Sequence, residues 1–370
     1  MAPAEIIALR DQLKDWLLQA ALPLWAEVGV DDHGGFYEKI GMDGAPVEAP
    51  RRARVTARQV YVFDQAARLG WTGPSARRAE QALHRLMDPH GFLRSDGLVR
   101  ILIAADGTVL DDTPALYEQA FALLALAVAG REAPALKLLD SLTARQGKAG
   151  GGFYLDDTRH PPLDANPHMH LFEASLAWLE AGGGPAWRGL ASSLGDIALT
   201  HLIDPASGAL AEFRDDDWRP AAGSPLDCGH QFEWGWLLLK FARLLGRADA
   251  VAPALRLIAI GETHGVDPAR NVVFNLMQPD LTPLDLEARL WPQTERLHAH
   301  AVAAAMTGEA AHWQGAAAGA RGLMAYLDTP VLGLWRDRRL ADGAFVEEPA
   351  PASSLYHIVS AILALDDAVG

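Results

Sequence analysis

The sequence PALYEQAFALLALAVAGREAPALKLLDSLTARQ, residues 114–146, contains the pattern that decides the fold. Apolar residues recur at helical spacing on both sides of Gly130 and Arg131, which predicts two helices, over 114–130 and 131–146. A link this short makes consecutive helices antiparallel neighbours. It also leaves no room for a buried strand between them, which argues against a doubly wound α/β sheet.

The same spacing recurs along the chain and predicts about twelve helices. The other predicted helices cover 3–21, 54–69, 75–87, 167–182, 185–201, 228–246, 250–263, 291–306, 309–326 and 353–366. Short links at 70–74, 130–131, 183–184, 247–249 and 307–308 alternate with long segments at 22–53, 88–113, 147–166, 202–227, 264–290 and 327–352. If every helix reverses direction, all six long segments emerge at one end of the molecule.

The long segments contain signals for tight β turns. Asp43-Gly44, Asp96-Gly97, Asp106-Gly107 and Asp342-Gly343 are dipeptides that favour hairpin turns, and most have short β-prone runs beside them. We therefore predict an all-α fold in a single domain over residues 1–370. The predicted architecture is an (α/α)6 barrel, or toroid, with short β-hairpins in the long loops on one face.

The composition excludes several classes of protein. The 370 residues contain 32 Lys and Arg against 47 Asp and Glu, a formal charge of −15 that disfavours binding to nucleic acid. Half of the residues are hydrophobic, so disorder is not expected, and the single cysteine, Cys228, fits a reducing compartment. We find no signal peptide and no membrane helix, and expect a cytoplasmic monomer or homodimer with no membrane partner.

The helices that follow the long segments should begin at one open end of the barrel, so their first turns should point into one funnel. Ionisable, amide and aromatic residues recur at these positions, which predicts a functional site there. They are Arg58 and Tyr61 on the second predicted helix, Tyr117 and Glu118 on the fourth, Asn166, His168, His170 and Glu173 at the sixth, His230, Glu233 and Trp234 on the eighth, Trp291, Gln293 and Glu295 on the tenth, and Tyr356 and His357 on the twelfth.

These residue types suit a sugar, because aromatic rings stack on its apolar faces while fixed donors and acceptors bind its hydroxyls. The long segments are acidic, which disfavours a phosphorylated or sulfonated substrate, although Arg58 could still bind one. The acidic runs are Asp31-Asp32, Asp111-Asp112, Asp156-Asp157 and Asp215-Asp216-Asp217. We therefore predict a neutral carbohydrate as the substrate, with Glu118 and Gln293 among the candidate contacts.

Three histidines, His170, His230 and His357, indicate proton transfer. Removing the proton next to a sugar carbonyl needs a base beside C2 and a cation near the developing enediolate oxygen. His230 and His357 are the candidate bases, and Arg58 is the candidate cation. Glu233 lies one helical turn after His230 and could orient it or tune its charge.

Two other interpretations of these residues are disfavoured. His168 and His170 are two positions apart on a helix and point to different faces, which argues against a metal site. Cys228 lies beside His230 but has no clear third partner, so we interpret it as a packing residue. No metal or redox cofactor is expected.

Five stretches resemble the N-acylglucosamine 2-epimerase superfamily, which includes N-acylglucosamine 2-epimerases, cellobiose 2-epimerases, mannose isomerases and sulfoquinovose isomerases. They are 56–61 (TARQVY), 166–174 (NPHMHLFEA), 229–234 (GHQFEW), 290–295 (LWPQTE) and Tyr356-His357. The resemblance implies an (α/α)6 barrel without a cofactor. It also implies that His230 and His357 are the acid/base pair, with Arg58, His170 and Glu233 around the reacting carbons and Asn166, Tyr117 and Trp291 as sugar contacts.

These five stretches do not distinguish the subfamilies from one another. A 2-epimerase needs a base on each side of C2, whereas one base can suffice for an aldose–ketose isomerase, and both histidines are present. Ser353 and Ser354 near His357 lack the Gln or Arg expected for a sulfonate, and no Gly-rich nucleotide loop is found. We predict isomerisation of D-mannose to D-fructose through an enediolate.

Three alternatives remain open. The first is 2-epimerisation of N-acylglucosamine, of glucose and mannose, or of cellobiose. The second is an inverting glycoside hydrolase on the same barrel, with Glu118, Glu233 and Glu295 as the candidate carboxylates. The third is a sugar-binding module without catalytic activity.

Overall fold

The computed structural model describes residues 2–31 and 34–370, so Asp32 of the first acidic pair lies outside the described residues. The described residues form twelve helices, as the spacing predicted. They are α1 (Ala4–Trp16, continued by the π-helical segment Leu17–Ala21 and by Leu22–Glu27), α2 (Ala53–Arg68), α3 (Ser75–Met87), α4 (Leu116–Val128), α5 (Glu132–Gln146), α6 (Ala165–Glu180), α7 (Pro185–Ile197, continued by the π-helical segment Ala198–Leu202), α8 (Cys228–Leu245), α9 (Val251–His264, preceded by the 3-10 turn Ala248–Ala250), α10 (Leu290–Thr307), α11 (Ala310–Leu327) and α12 (Ser353–Val369).

The helices form two concentric rings. The even-numbered helices make the inner ring, in which each helix packs against the next and α12 packs against α2 to close it. Inner helices are buried over most of their surface, as in α4, whereas the outer helix α3 buries only one stripe. The predicted (α/α)6 barrel is therefore confirmed. Among the described residues, no helix combines the length and the apolar character that crossing a membrane requires.

The first helix is longer than its predicted end at residue 21. Proline inside a helix normally removes a backbone hydrogen bond, and Pro23 lies in this region. The π-helical segment immediately before it pairs the N–H of Leu22 with the carbonyl of Leu17. The hydrogen bonds are thus rearranged ahead of Pro23, and the helix continues to Glu27.

Short strands occupy the long loops and form six small sheets within the described residues. The strands are β1 (Lys39–Ile40), β2 (Pro46–Val47), β3 (Arg51–Arg52), β4 (Leu102–Ile103), β5 (Val109–Asp111), β6 (Leu163–Asp164), β7 (Phe213–Arg214), β8 (Leu226–Asp227), β9 (Val266–Asp267), β10 (Val272–Val273), β11 (Leu276–Met277), β12 (Pro283–Asp285), β13 (Ala288–Arg289), β14 (Arg338–Arg339) and β15 (Ala350–Pro351). The predicted hairpins include β1–β2 and β4–β5, which turn at Gly44 and Gly107 with φ of 83° and 90°.

Other strands join one long loop to the next, which the sequence analysis did not anticipate. The strand directly before an inner helix pairs with a strand of the following loop in β3–β4, β6–β7, β8–β11 and β13–β14. The pair β15–β1 joins the last loop to the first. The loops therefore form a connected rim around the N-terminal ends of the inner helices.

Side chains near the start of the inner helices fix this rim. Gln231, the fourth residue of α8, accepts a hydrogen bond from the N–H of Leu210 at 3.0 Å and donates to its carbonyl at 2.8 Å. Gln119 bonds in the same way to Val99, Gln293 bonds in the same way to Val273, and His168 accepts a hydrogen bond from the N–H of Phe153. These side chains satisfy buried backbone groups that would otherwise be unpaired.

We expect Gln231→Leu to lower the free energy of unfolding by about 1–3 kcal/mol, because the buried N–H and carbonyl of Leu210 lose their partner. Urea denaturation followed by circular dichroism measures this change. The matched control is Gln314→Leu at an exposed position of α11, expected to change stability by less than about 0.5 kcal/mol. Equal stability of the two variants would contradict the role of Gln231.

Candidate active site

The first turns of the inner helices converge at the rim, and most of the predicted site residues meet there. The ring of Tyr117 on α4 lies 5.1 Å from that of His170 on α6. The ring of Trp291 on α10 lies 5.1 Å from that of His230 and 5.7 Å from that of His357, so it contacts both candidate bases. Neighbouring helices thus assemble the site, and no single segment contains it.

Gly229 allows Trp291 to take this position. A Cβ atom at residue 229 would lie 2.4 Å from the Trp291 ring, closer than any real contact. The glycine before His230 in the GHQFEW stretch is therefore required for steric reasons, because any other residue would displace the Trp291 ring that contacts His230 and His357.

His230 is held at the start of α8 by two carboxylates. The Asp227 side chain caps the helix by accepting from the backbone N–H groups of Gly229 and His230. The imidazole Nδ1 of His230 lies 2.9 Å from Oε1 of Glu212, which comes from the loop before the helix. This bond fixes the ring and directs Nε2 away from Glu212.

Glu212, and not Glu233, makes the contact that orients His230, while the negative charge of Glu233 helps to raise the pKa of His230. A helical side chain leans toward the N-terminus of its helix, which brings His230 to the loop that contains Glu212. Glu233 lies one turn deeper, and its Oε1 is 3.7 Å from Nδ1 of His170. Glu212 lies outside every helix, so helical spacing gave no signal for it.

The two carboxylates decide the charge of His230. Burial alone would lower the pKa of His230, but the negative charges of Glu212 and Asp227 raise it well above its usual value. Burial and the nearby Glu212 carboxylate raise the pKa of Asp227 to about 6. These carboxylates therefore favour the imidazolium form of His230, which can donate a proton.

His357 has the opposite character. Its Nδ1 lies 2.8 Å from Oε1 of Glu295, and the second oxygen of Glu295 accepts the indole N–H of Trp236 at 2.9 Å. Burial, together with the positive charge of Arg58, lowers the pKa of His357 well below its usual value. A neutral His357 that donates Nδ1–H to Glu295 keeps Nε2 unprotonated, and this nitrogen has no hydrogen-bond partner in the described part of the chain.

The third histidine, His170, also bonds to a carboxylate through its Nδ1 atom. Its Nδ1 lies 3.2 Å from Oε2 of Glu173, whose other oxygen accepts the hydroxyl of Tyr356. Burial lowers the pKa of His170 to about 4. Burial alone would raise the pKa of Glu173, but the hydrogen bonds from His170 and Tyr356 lower it. Helical spacing predicted that Glu173 lies in the funnel but indicated no role for it.

Glu233 differs from the other carboxylates in this cluster. Burial and the negative charge of Glu295 raise the pKa of Glu233 well above its usual value. Its Oε2 is buried and, within residues 2–31 and 34–370, has no hydrogen-bond partner. Burial therefore favours the protonated form of Glu233, which has a proton to offer to a ligand oxygen.

Arg58 provides the positive charge at the base of the funnel. Its guanidinium donates to the hydroxyl of Tyr117 at 3.0 Å and to the carbonyl of Ser353 at 3.1 Å, and it lies 4.2 Å over the ring of Phe121. Its Nε is buried and has no partner in the described regions. Arg58 is thus positioned to face a developing negative charge close to His357.

The remaining predicted contacts fall into two groups. The side-chain Oδ1 of Asn166 is buried and lacks a partner among the described residues, so it is free for a ligand. Glu118 pairs through Oε1 with Arg54, while its buried Oε2 likewise lacks a partner within the described residues. The amide of Gln293 is fully engaged by Val273 and by the carbonyl of Arg289, so we expect Gln293 to support the funnel wall.

Two carboxylate–histidine sets could be considered for a metal ion. The atoms of His170, Glu173 and Glu233, and those of Glu233, Glu295 and His357, lie within 4.8 Å of one another in each set. In each set the histidine Nδ1 already bonds to a carboxylate. We interpret the cluster as a hydrogen-bonded network that binds an organic ligand.

A second cavity, of about 1020 Å³, opens at the opposite end of the barrel. It is lined by the C-terminal halves of the inner helices and reaches Glu173, Trp236 and His298 from behind. Tyr61, predicted near the funnel, lines this rear cavity and contacts the ring of Tyr356.

Comparisons with known proteins place the chain in a family. A sequence profile of the family described as N-acylglucosamine 2-epimerase (GlcNAc 2-epimerase) matches residues 35–361. The chain is 44% identical to a protein named mannose-6-phosphate isomerase from Rhizobium meliloti (strain 1021), over 96% of each chain. It is 28% identical to a protein named D-mannose isomerase from Thermobifida fusca, over 74% of each. A crystal structure of a D-mannose isomerase has the same fold, with a TM-score of 0.89, 21% identity and 99% coverage of both chains.

We expect Glu212→Gln to lower the pKa of His230, because the variant removes the carboxylate charge that raises it. An NMR titration of protein with 15N-labelled histidine, assigned through His230→Ala, measures this pKa. The control is Glu287→Gln at a partly exposed loop position, which should leave the titration unchanged. An unchanged His230 titration in Glu212→Gln would refute the electrostatic role of Glu212.

Proposed function

Because the chain belongs to the N-acylglucosamine 2-epimerase family and is therefore a sugar isomerase or epimerase, we propose that it converts D-mannose to D-fructose. The observation that carries the proposal is the pair His230 and His357, which both contact the ring of Trp291 and whose pKa values their surroundings shift in opposite directions. Pairs of groups whose pKa values are driven apart mark an acid and a base.

The reaction starts from the open-chain aldose, because only its carbonyl acidifies the proton on C2. Nε2 of His357 takes this proton, and the electron pair moves toward O1 to give an enediolate. Arg58 and the His230 imidazolium stabilise the negative charge, and His230 protonates O1. His357 then returns its proton to C1 while His230 takes the proton from O2, which gives the ketose and restores both histidines.

Two features support isomerisation over hydrolysis. An inverting glycoside hydrolase holds two carboxyl groups about 6.5–9.5 Å apart to admit a water molecule. Oxygens of Glu233 and Glu295 lie within 4.8 Å of each other, and Glu118 is engaged by Arg54. Two of the three histidine–carboxylate pairs, His230–Glu212 and His357–Glu295, have roles in the proposed proton transfer and none in hydrolysis.

A phosphorylated sugar is the second candidate substrate. The name of the relative with 44% identity favours mannose 6-phosphate. Arg289 at the rim has a side chain that is 49% exposed, and its ion pair with Asp337 spans 3.8 Å. This guanidinium retains donors for a phosphate, whereas the acidic runs in the loops favour neutral mannose.

We expect NMR of the protein with D-mannose in D2O to detect D-fructose, with deuterium at C1 or direct transfer from C2. D-Glucose with deuterium at C2 would instead establish a 2-epimerase. A parallel assay with mannose 6-phosphate compares kcat/KM and decides between the two substrates. Absence of any product or exchange with either sugar would contradict the proposal.

We expect His357→Ala and His230→Ala each to lower kcat by about 10²–10⁴-fold, since each removes a proton-transfer group. Circular dichroism should be unchanged. The control is His84→Ala at an exposed position of α3, expected to retain wild-type activity. Activity near wild type in either site variant would remove that histidine from the mechanism.

A further inference from the structure

Trp236 on α8 is linked to the candidate base His357 through the carboxylate of Glu295. Its indole N–H donates to Oε2 of Glu295 at 2.9 Å, while Oε1 of the same carboxylate lies 2.8 Å from Nδ1 of His357. We propose that Trp236 is a positioning residue that keeps Glu295 ionised and oriented, so that His357 retains a free Nε2. This inference rests on the proposed role of His357 as the base.

The surroundings of Glu295 favour its protonation. Burial raises the pKa of Glu295, and the carboxylate of Glu173 on α6 adds to this effect. His298 on α10, the hydrogen bond from Trp236 and His170 on α6 oppose it. Glu233 on α8 and His357 on α12 are the other ionisable groups close to the carboxylate. The indole N–H of Trp236 is thus one of the neutral donors that stabilise the charge of Glu295, together with Nδ1–H of His357 at 2.8 Å and the hydroxyl of Thr294 at 3.4 Å.

Protonation of Glu295 would disable His357. A protonated Glu295 donates to Nδ1, and the imidazole then carries its hydrogen on Nε2. The nitrogen that faces the funnel would lose the lone pair that accepts the proton from C2. The bond from Trp236 therefore acts on the reaction through the tautomer of His357, without contact with the substrate.

An indole suits this position because it can only donate a hydrogen bond. A water or hydroxyl at the same place could rotate and donate to either partner or accept from Glu295, whereas Trp236 cannot. The indole is also rigidly packed, since its ring stacks on His298 with 4.0 Å between centroids and 12° between planes. Trp236 and His298 both border the rear cavity, so they form the wall between Glu295 and that space.

The same helix contains a matched control. Trp234, which was predicted among the funnel residues, is instead fully buried in the hydrophobic core and stacks on Phe172 with 5.7 Å between centroids. Its indole nitrogen has no hydrogen-bond partner in the described parts of the chain. Trp234→Phe and Trp236→Phe therefore remove the same atoms two residues apart, but only the second removes a donor to Glu295.

The test measures kcat and KM for D-mannose against pH in both variants. In Trp236→Phe we expect kcat at pH 7 to fall about 10- to 100-fold with KM nearly unchanged, the size of a lost bond to a buried charge. Loss of the donor raises the pKa of Glu295. The low-pH side of the plot of kcat against pH should therefore move to higher pH, and the difference in kcat between variant and wild type should shrink as pH rises. Trp234→Phe should keep the wild-type profile.

Three outcomes would overturn the inference. The first is a wild-type kcat and pH profile in Trp236→Phe. The second is an equal decrease of kcat in both variants with no shift of the pH profile. The third is a change in KM alone, with kcat unchanged. The same variants in protein with 15N-labelled histidine report the His357 tautomer without substrate. A change in Trp236→Phe but not in Trp234→Phe supports the inference, and no change overturns it. If the wild type converts neither sugar, the proposed function fails while this spectrum still decides the role of Trp236.

Discussion

The rest of the structure depends on the five short links, which reverse the chain after each inner helix from α2 to α10. Gly308 and Glu309, for example, are all that separates α10 from α11. Since each outer helix brings the chain back, all six inner helices begin at the same end. Their partially positive N-termini therefore surround one funnel, and Asp164 and Asp227 cap two of them. The proposed enediolate would form within this favourable field.

Two histidine–carboxylate pairs of almost identical geometry acquire opposite roles from their neighbours. The bond from His230 to Glu212 and the bond from His357 to Glu295 differ by only 0.1 Å in length, at 2.9 and 2.8 Å. His230 has a second carboxylate, Asp227, nearby, whereas His357 is influenced by the cation Arg58. The local sum of charges, and not the residue type, decides which imidazole holds a proton at neutral pH.

Much of this arrangement was predictable from the sequence, because helical spacing and link length together determine a ring of helices and the residues at their first turns. The continuation of α1 through Pro23 was not, since a π-helical segment has no periodic signature. Strands of two residues are too short to show alternation, so the pairing between loops was also missed. In the site, the role of Glu212 was hidden in an irregular loop, and the contact of Glu295 with His357 joins separate helices.

The pairing of β15 with β1 has a consequence for how the molecule folds. It joins the first and last long loops, while α12 packs against α2 to complete the inner ring. Contacts between segments so distant in sequence carry a large loop-closure entropy and form slowly. His357 and Tyr356 both lie on α12, so an intermediate in which this helix is undocked has most of the helical content of the native state but lacks the base. Recovery of activity during refolding would therefore follow closure of the ring, and far-ultraviolet dichroism would recover earlier.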